Sequence, residues 1–367
     1  MRKTAAWPLT WIYAVLIVYA SLYPFENWRF QGIAPWAFLT APLPRYWTGF
    51  DVLSNVLGYA PFGFLLALAL HRMHREWPAI GLATLGAAVL SLLMESLQTL
   101  LPVRVPSNLD LALNVSGAWA GAVAARGLAW VGLMDRWSRF RDRWFVSESS
   151  GALALLALWP WALLFPAPVP FGLGQVFERL ETALTEALED TPWLEWWPVR
   201  EVELQPLLPV SEVLCVAVGL LLPCLLVYGV VRHWQQRLVV AGLWLFLGFL
   251  ASALSAALTY GPVHAWDWVG GEVLAGLGLA LVLAGALLWS TARLCTVLAL
   301  TALMLQLTLL NNASADVYFA MTLQTWEQGR FIRFHGLIQW LGWLWPYALL
   351  VYLVRGLSAT TRPLNRA

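Results

Sequence analysis

Apolar residues fill long runs along almost the whole chain, and polar residues are confined to the breaks between them. A helix needs roughly 20 apolar residues to cross a hydrocarbon core. Runs of about that length lie near 7–25, 52–70, 79–101, 111–134, 151–169, 213–231, 238–259, 268–289, 294–310 and 336–354. The pattern predicts an all-α fold, a polytopic transmembrane bundle of about ten helices. Two of the breaks are long enough to fold. Residues 26–49 carry Trp28, Trp36, Tyr46 and Trp47 among prolines. Between Pro170 and Val210, the residues Leu173, Val176, Phe177, Leu180, Leu184, Ala187 and Leu188 share one helical face opposite an acidic one, ahead of Pro192-Trp-Leu-Glu-Trp-Trp-Pro198. That segment reads as an interfacial helix lying against the bundle, a structural lid.

Composition agrees with the pattern. The 367 residues are 60% hydrophobic and 12% charged, with a mean hydropathy of +0.67, where a soluble domain carries roughly a quarter charged residues. A formal charge of +1 offers no broad basic surface, so nucleic acid is not an expected partner and the lipid bilayer is. The opening Met1-Arg2-Lys3 ahead of an apolar run lacks a small-x-small cleavage site and reads as an uncleaved first helix. Placing the N-terminus inside puts about two-thirds of the basic residues in the cytoplasm, Arg72, Arg75, Arg136, Arg139, Arg141, Arg143, Arg232, Arg237 and Arg355 among them. It leaves the acidic series Glu178, Glu181, Glu186, Glu189, Asp190, Glu195, Glu201 and Glu203 outside. The expected location is the bacterial cytoplasmic (inner) membrane, multi-pass, with both termini cytoplasmic. Cys215, Cys224 and Cys295 fall within apolar runs, where they pack as small apolar residues.

The chain repeats itself on two scales. Arg45-x5-Asp51-x3-Asn55-Val-x-Gly58 has a partner in Arg104-x5-Asp110-x3-Asn114-Val-x-Gly117. Each copy follows a helix that ends at a proline, Pro24 or Pro102, so the first four helices read as two like hairpins related by an axis along the membrane normal. A more decayed duplication aligns Asp51 with Glu212, Pro102-Val-Arg104 with Pro262-Val-His264, and Ser21-Leu-Tyr-Pro24 with Leu163-Leu-Phe-Pro166. The expected domains are 1–135, an intact four-helix unit; 136–290, a degenerate second unit that supports it; and 291–367, two added helices with a cytoplasmic tail.

Asp51 with Asn55, and Asp110 with Asn114, are four residues apart and share a helix face; Glu95 and Gln98, three apart, do the same. All six fall at similar depth near the outer ends of their helices, with Arg45 and Arg104 just above. Ionisable groups within a span cost roughly 2.5 to 3.5 kcal/mol at its centre and less near its ends, and they usually face one another or water. A purely structural role is open to each of them: the acids can cap helix ends, Arg104 can pair with Glu95 or Asp110, and Gly58 and Gly117 can be close-packing points. Taken together, in a matched two-copy pattern, they read as a ligand pocket formed by Arg45, Asp51, Asn55, Glu95, Gln98, Arg104, Asp110 and Asn114.

The series Asp51-x3-Asn55, Pro61-Phe62-Gly63, Glu95-x2-Gln98, Pro102-x-Arg104, Asp110-x3-Asn114 and Gly117 resembles the VanZ-like family of bacterial membrane proteins over about the first 135 residues. The remainder extends beyond the usual short form. That family is named for a protein linked to teicoplanin resistance; the resemblance implies a domain rather than a reaction. Three functions compete. A binding module or transporter would engage an amphiphilic, lipid-linked or glycosylated envelope ligand at the outer leaflet, with Arg45 and Arg104 on a phosphate. An enzyme acting on an envelope lipid or lipid-linked glycan would use the carboxylates as acid and base, or hold a hard divalent cation with them. A scaffold would use the polar ring to fix helix packing. No cofactor or metal motif is present, and the constellation holds no histidine, cysteine or serine nucleophile with a base beside it, which places the enzyme behind the binding module.

Overall fold

A computed structural model of the chain describes residues 6–23, 25, 27–44, 46–71, 76–196, 206–313 and 332–360. Those residues form twelve α-helices and no β-strand. The chain divides into two compact units, Met1–Arg141 and Asp142–Ala367. Six helical stretches are long and apolar enough to cross a membrane: Asp51–Leu70, Pro78–Gln98, Pro209–Val230, Trp234–Tyr260, Ala292–Asn311 and Leu337–Ser358. The apolar helices Ala6–Leu22, Ser150–Ala162 and Gly271–Ala286 are shorter. The fold is a helical membrane bundle, and each of the ten predicted spans falls on a helix.

The first unit contains α1 (Ala6–Leu22), α2 (Gly49–His71), α3 (Glu76–Gln98) and α4 (Asn108–Trp130). Its central packing is α2 against α4. A Cβ built on Gly63, Gly117 or Gly121 would overlap the backbone of Ala118, Val56 or Ala60 respectively, so the two main chains touch where only glycine fits. Buried Ala118, Ala122 and Ala125 extend this seam of small residues along α4, the usual basis of helix association in lipid, where dispersion between close backbones replaces the hydrophobic effect. The seam also explains why α4 is the least apolar of the four. Of the twin repeat glycines, Gly117 is a packing point and Gly58 has open space around it, although the Gly58 carbonyl accepts a 3.0 Å bond from the Tyr13 hydroxyl.

The fourth span was expected to run to residue 134. It stops at Trp130, because Gly132 adopts φ +70° and turns the chain. From there α5 (Leu133–Trp144) begins, an amphipathic helix rich in arginine that carries the boundary between the units.

In the second unit lie α6 (Ser150–Ala162), α7 (Phe177–Leu188), α8 (Pro209–Val230), α9 (Trp234–Tyr260), α10 (Gly271–Ala286), α11 (Ala292–Asn311) and α12 (Ile332–Thr360). Helix α8 is its axis: every residue from Cys215 to Tyr228 is buried, as its uniformly apolar sequence requires, and α6, α9, α10 and α11 pack around it. All three cysteines are buried and free.

The fifth span differs most from expectation. In place of one helix over 151–169, α6 ends at Ala162 and an irregular stretch follows as far as Val176. Pro166, Pro168 and Pro170 supply no N–H and disfavour helix in the residue before each of them. Yet the stretch is interior: Leu163, Phe165, Val169, Phe171 and Leu173 are all buried. Non-helical backbone persists at membrane depth only where protein satisfies it, and side chains from other helices do so. Ser255 donates to the Leu164 carbonyl (2.8 Å), Gln306 to that of Phe171 (3.1 Å), and Asn311 Nδ2 and Tyr347 Oη each to that of Gly174 (3.1 Å). Asn311 Oδ1 accepts from the N–H groups of Val176 and Phe177. It thereby caps α7 from a distance and starts that helix at Phe177, several residues after Leu173, where the apolar periodicity began.

Candidate functional site

The site begins with two helix starts. Thr48 and Asp51 form a reciprocal cap on α2: the Asp51 carboxylate accepts from the Thr48 N–H (2.9 Å) and hydroxyl (2.8 Å), and Thr48 Oγ1 accepts from the Asp51 N–H. In the second copy Ser107 Oγ caps α4 by accepting from the N–H groups of Leu109 and Asp110. Here the return bond comes from elsewhere, because the Ser107 N–H donates to Glu95 Oε2 at 2.8 Å. Glu95 on α3 thus occupies the capping place that Asp51 fills in the first copy. The Asp110 carboxylate is turned instead toward α2, where Oδ1 accepts from Asn55 Nδ2 at 2.9 Å.

The twin motifs therefore meet, and they meet unequally. Asn55 of the first copy bonds Asp110 of the second; Asn114 Nδ2 bonds the Ser91 hydroxyl of α3 (3.0 Å). Ser91, Glu95 and Asn114 are 0%, 4% and 4% exposed, so this is a buried polar layer joining α2, α3 and α4. Glu95 and Asp110 stand within electrostatic reach of each other. Asn114 Oδ1 is buried in the layer without a hydrogen-bond partner among the described residues, and the Tyr59 hydroxyl is buried beside Ser91. Buried polar atoms are nearly always paired, so such an atom calls for an explanation.

Two other predicted residues tie down the end of α1. Gln98 Nε2 donates to the Ser21 carbonyl (3.0 Å), and Arg104 donates through one terminal nitrogen to the carbonyls of Ala20 (3.2 Å) and Tyr23 (2.7 Å). These are the carbonyls a helix end leaves unsatisfied, and a cation there also complements the dipole. Arg45 lies outside the described residues. The loop after α1 crosses the same end of the bundle: Gln31 donates to the Thr99 carbonyl, the Arg29 N–H to that of Leu100, and Asn108 Nδ2 to that of Ala41. It presents Trp28, Phe30, Trp36, Tyr46 and Trp47 to the exterior, the side chains that favour a bilayer interface.

Sequence reasoning missed Thr48, Ser107, Ser91 and Tyr59. The first two were legible as S/T-x-x-D before an apolar run; Ser91 and Tyr59 carry no local signal and are defined only by packing. Among the described residues no group of three or more His, Cys, Asp or Glu is arranged to hold a metal ion.

A helical membrane unit with an asymmetric polar layer at one end, closed by an aromatic loop, is what the first 141 residues define. Comparison with known families gives that class a name: residues 8–131 match the VanZ/LLP1 family, and the chain carries a VanZ-like domain at its N-terminus. No curated protein and no solved structure matches the chain.

Proposed function

We propose that this VanZ-like membrane protein binds the polar head of an amphiphilic, lipid-linked or glycosylated envelope ligand at the layer formed by Asn55, Glu95, Asp110 and Asn114, with Asp51, Gln98 and Arg104 near it and Arg45 as a further ligand contact. The ligand sits at the outer leaflet, and the protein serves envelope homeostasis or resistance to glycopeptide-type antibiotics. The observation that carries the reading is a layer in which the carboxylate of buried Glu95, close to that of half-buried Asp110, lies with the buried amide of Asn114, whose Oδ1 has no partner among the described residues. In a low-dielectric setting such groups are worth most when a donor-bearing ligand completes them. The interface aromatics around the entrance add stacking faces for a sugar or seats among acyl chains.

A second reading, a scaffold, has its own support: Asn55, Glu95, Gln98, Arg104 and Asp51 all make bonds that hold helix ends together. Glu95→Gln separates the two. Glutamine keeps an acceptor oxygen for the Ser107 N–H and so keeps the cap, while the charge is lost. Lipid and cell-wall-precursor profiles are compared in cells with the gene, without it, and with Glu95→Gln at matched abundance. Binding predicts that the variant reproduces the deletion profile. A wild-type profile from Glu95→Gln assigns the layer to packing.

A further inference from the structure

A cavity of about 630 Å³ lies in the second unit, at the end where α6 and α9 finish and α8 begins. Nothing in the polar layer described above contributes to it. It was not a predicted site, yet the decayed duplication points to it: Glu212, His264 and Pro166, which align with Asp51, Arg104 and Pro24, all line it.

Its wall is the irregular stretch after α6. Discontinuous helices are where membrane proteins commonly build sites, because unwound backbone turns its polar groups toward a cavity. The strain is local: Phe171 holds φ +64°, a left-handed conformation rare for a bulky residue, while 2% exposed. Its ring packs with Phe249 (5.2 Å) and Trp268 (5.6 Å), giving the cavity an aromatic floor.

Acceptors outnumber donors around this floor, where the Ser252 and Tyr260 hydroxyls can both donate and accept. Pro166, Pro168 and Pro170 have carbonyls and no N–H. Ser255 and Thr259 line the cavity, but their hydroxyl protons are committed to the carbonyls of Leu164 and Ser255, leaving lone pairs. The Trp268 N–H is likewise committed, to the Ala265 carbonyl (2.9 Å). The C-terminal, negative ends of α6 and α9 adjoin the cavity. The N-terminal ends of α8 and α10 each carry an acid, Glu212 and Glu272, within electrostatic reach of each other. At the mouth Asp267 contacts the His264 ring at 2.6 Å.

A site rich in acceptors and net acidic, over an aromatic floor, is complementary to a cation that brings its own N–H groups. The apolar wall of Leu163, Phe165, Pro170 and Ala256 suits a hydrocarbon chain attached to it. We propose that this cavity is a second binding site, taking a protonated primary amine carried on an apolar chain. Glu212 receives the ammonium, Trp268 and Phe171 contact it through their ring faces, and the Asp267–His264 pair guards the entrance.

The test uses full-length protein in an uncharged maltoside detergent, with bound molecules counted by native mass spectrometry during titration with dodecylammonium. One saturable site is expected. Glu212→Gln weakens it about tenfold, the effect of removing one charged hydrogen-bond partner. Dodecyltrimethylammonium, which has the charge without the N–H groups, binds more weakly, and dodecyl sulfate shows no saturable site. Butylammonium binding as tightly as dodecylammonium would overturn the amphiphile and leave only a free amine. Equal binding of dodecyl sulfate, or binding unaffected by Glu212→Gln, would overturn the site itself. If Glu212→Gln does not yield folded protein, Asp267→Asn at the exposed rim makes the same comparison, with weakening expected and unchanged affinity counting against the proposal.

Discussion

Single residues show why a repeated motif did not produce repeated contacts. Asp51 and Asp110 hold the same place in the sequence pattern, yet one caps its own helix and the other bonds Asn55 across the α2–α4 seam, because Glu95 has taken over the cap at Ser107. Exchanging the partners, Asn55→Asp with Asp110→Asn, preserves one donor and one acceptor. Each single variant is expected to lose about 1 kcal/mol of stability, and the pair to recover most of it, in a double-mutant cycle of thermal unfolding in detergent. The repeat glycines make a sharper contrast. Gly117→Ala puts a methyl group into the Val56 backbone and is expected to cost about 1 to 3 kcal/mol or more through overpacking. Gly58→Ala meets open space and is expected to be neutral, or stabilising by up to about 1 kcal/mol, through helix propensity. Fluorescence-detected gel filtration after heating distinguishes them, and equal behaviour of the two would refute the packing described at the seam. The pattern revealed that both glycines were special to the motif; only the three-dimensional approach of α4 to α2 could assign the close contact to one of them.

Among the elements, the helices were legible wherever apolar residues ran unbroken, as in α2, α3, α8, α9 and α11, since a length near 20 residues and uniform apolarity leave few alternatives. The reading failed where the backbone had another way to satisfy its polar groups. The stretch 163–176 is apolar enough to be counted as the end of a span. It is unwound because three prolines break it and because Ser255, Gln306, Asn311 and Tyr347, distant in sequence, take up its carbonyls. Asn311 is the keystone of that arrangement, holding both a carbonyl and two N–H groups. Asn311→Ala is expected to destabilise the second unit by about 2 to 4 kcal/mol, since several buried groups lose their partner together. Amide hydrogen exchange should rise selectively over Gly172–Leu188; exchange that stays at the wild-type rate there would show that the stretch is held by packing alone. Helix α5 was passed over for the opposite reason. Its arginines read as a cytoplasmic loop, although their alternation with Trp137 and Phe140 is that of an amphipathic helix.

For the whole molecule, membrane residence follows from the helices and the VanZ-like domain, while the direction of insertion rests on the arginine bias alone. That bias predicts that cysteines introduced near Arg72 or Arg355 resist a membrane-impermeant maleimide in intact cells, and that one introduced at Tyr46 reacts; the reverse pattern would invert the topology and put the polar layer on the cytoplasmic side. The residues that make that layer were found from the sequence because acids and amides within apolar runs stand out. Their partners Ser91 and Tyr59, and the cavity of the second unit, were not, because serines, prolines and tyrosines in such runs are ordinary until a fold brings them together. The central claim is that the layer holds a ligand as well as tying helices. Its most direct test is the set of lipids that co-purifies with the protein, measured by mass spectrometry for wild type and Glu95→Gln, both in a Glu212→Gln background that silences the second cavity. An amphiphile is expected to be enriched over the bulk membrane on the first protein and depleted about tenfold on the second, with thermal stability unchanged. Identical lipid complements on the two proteins would contradict it.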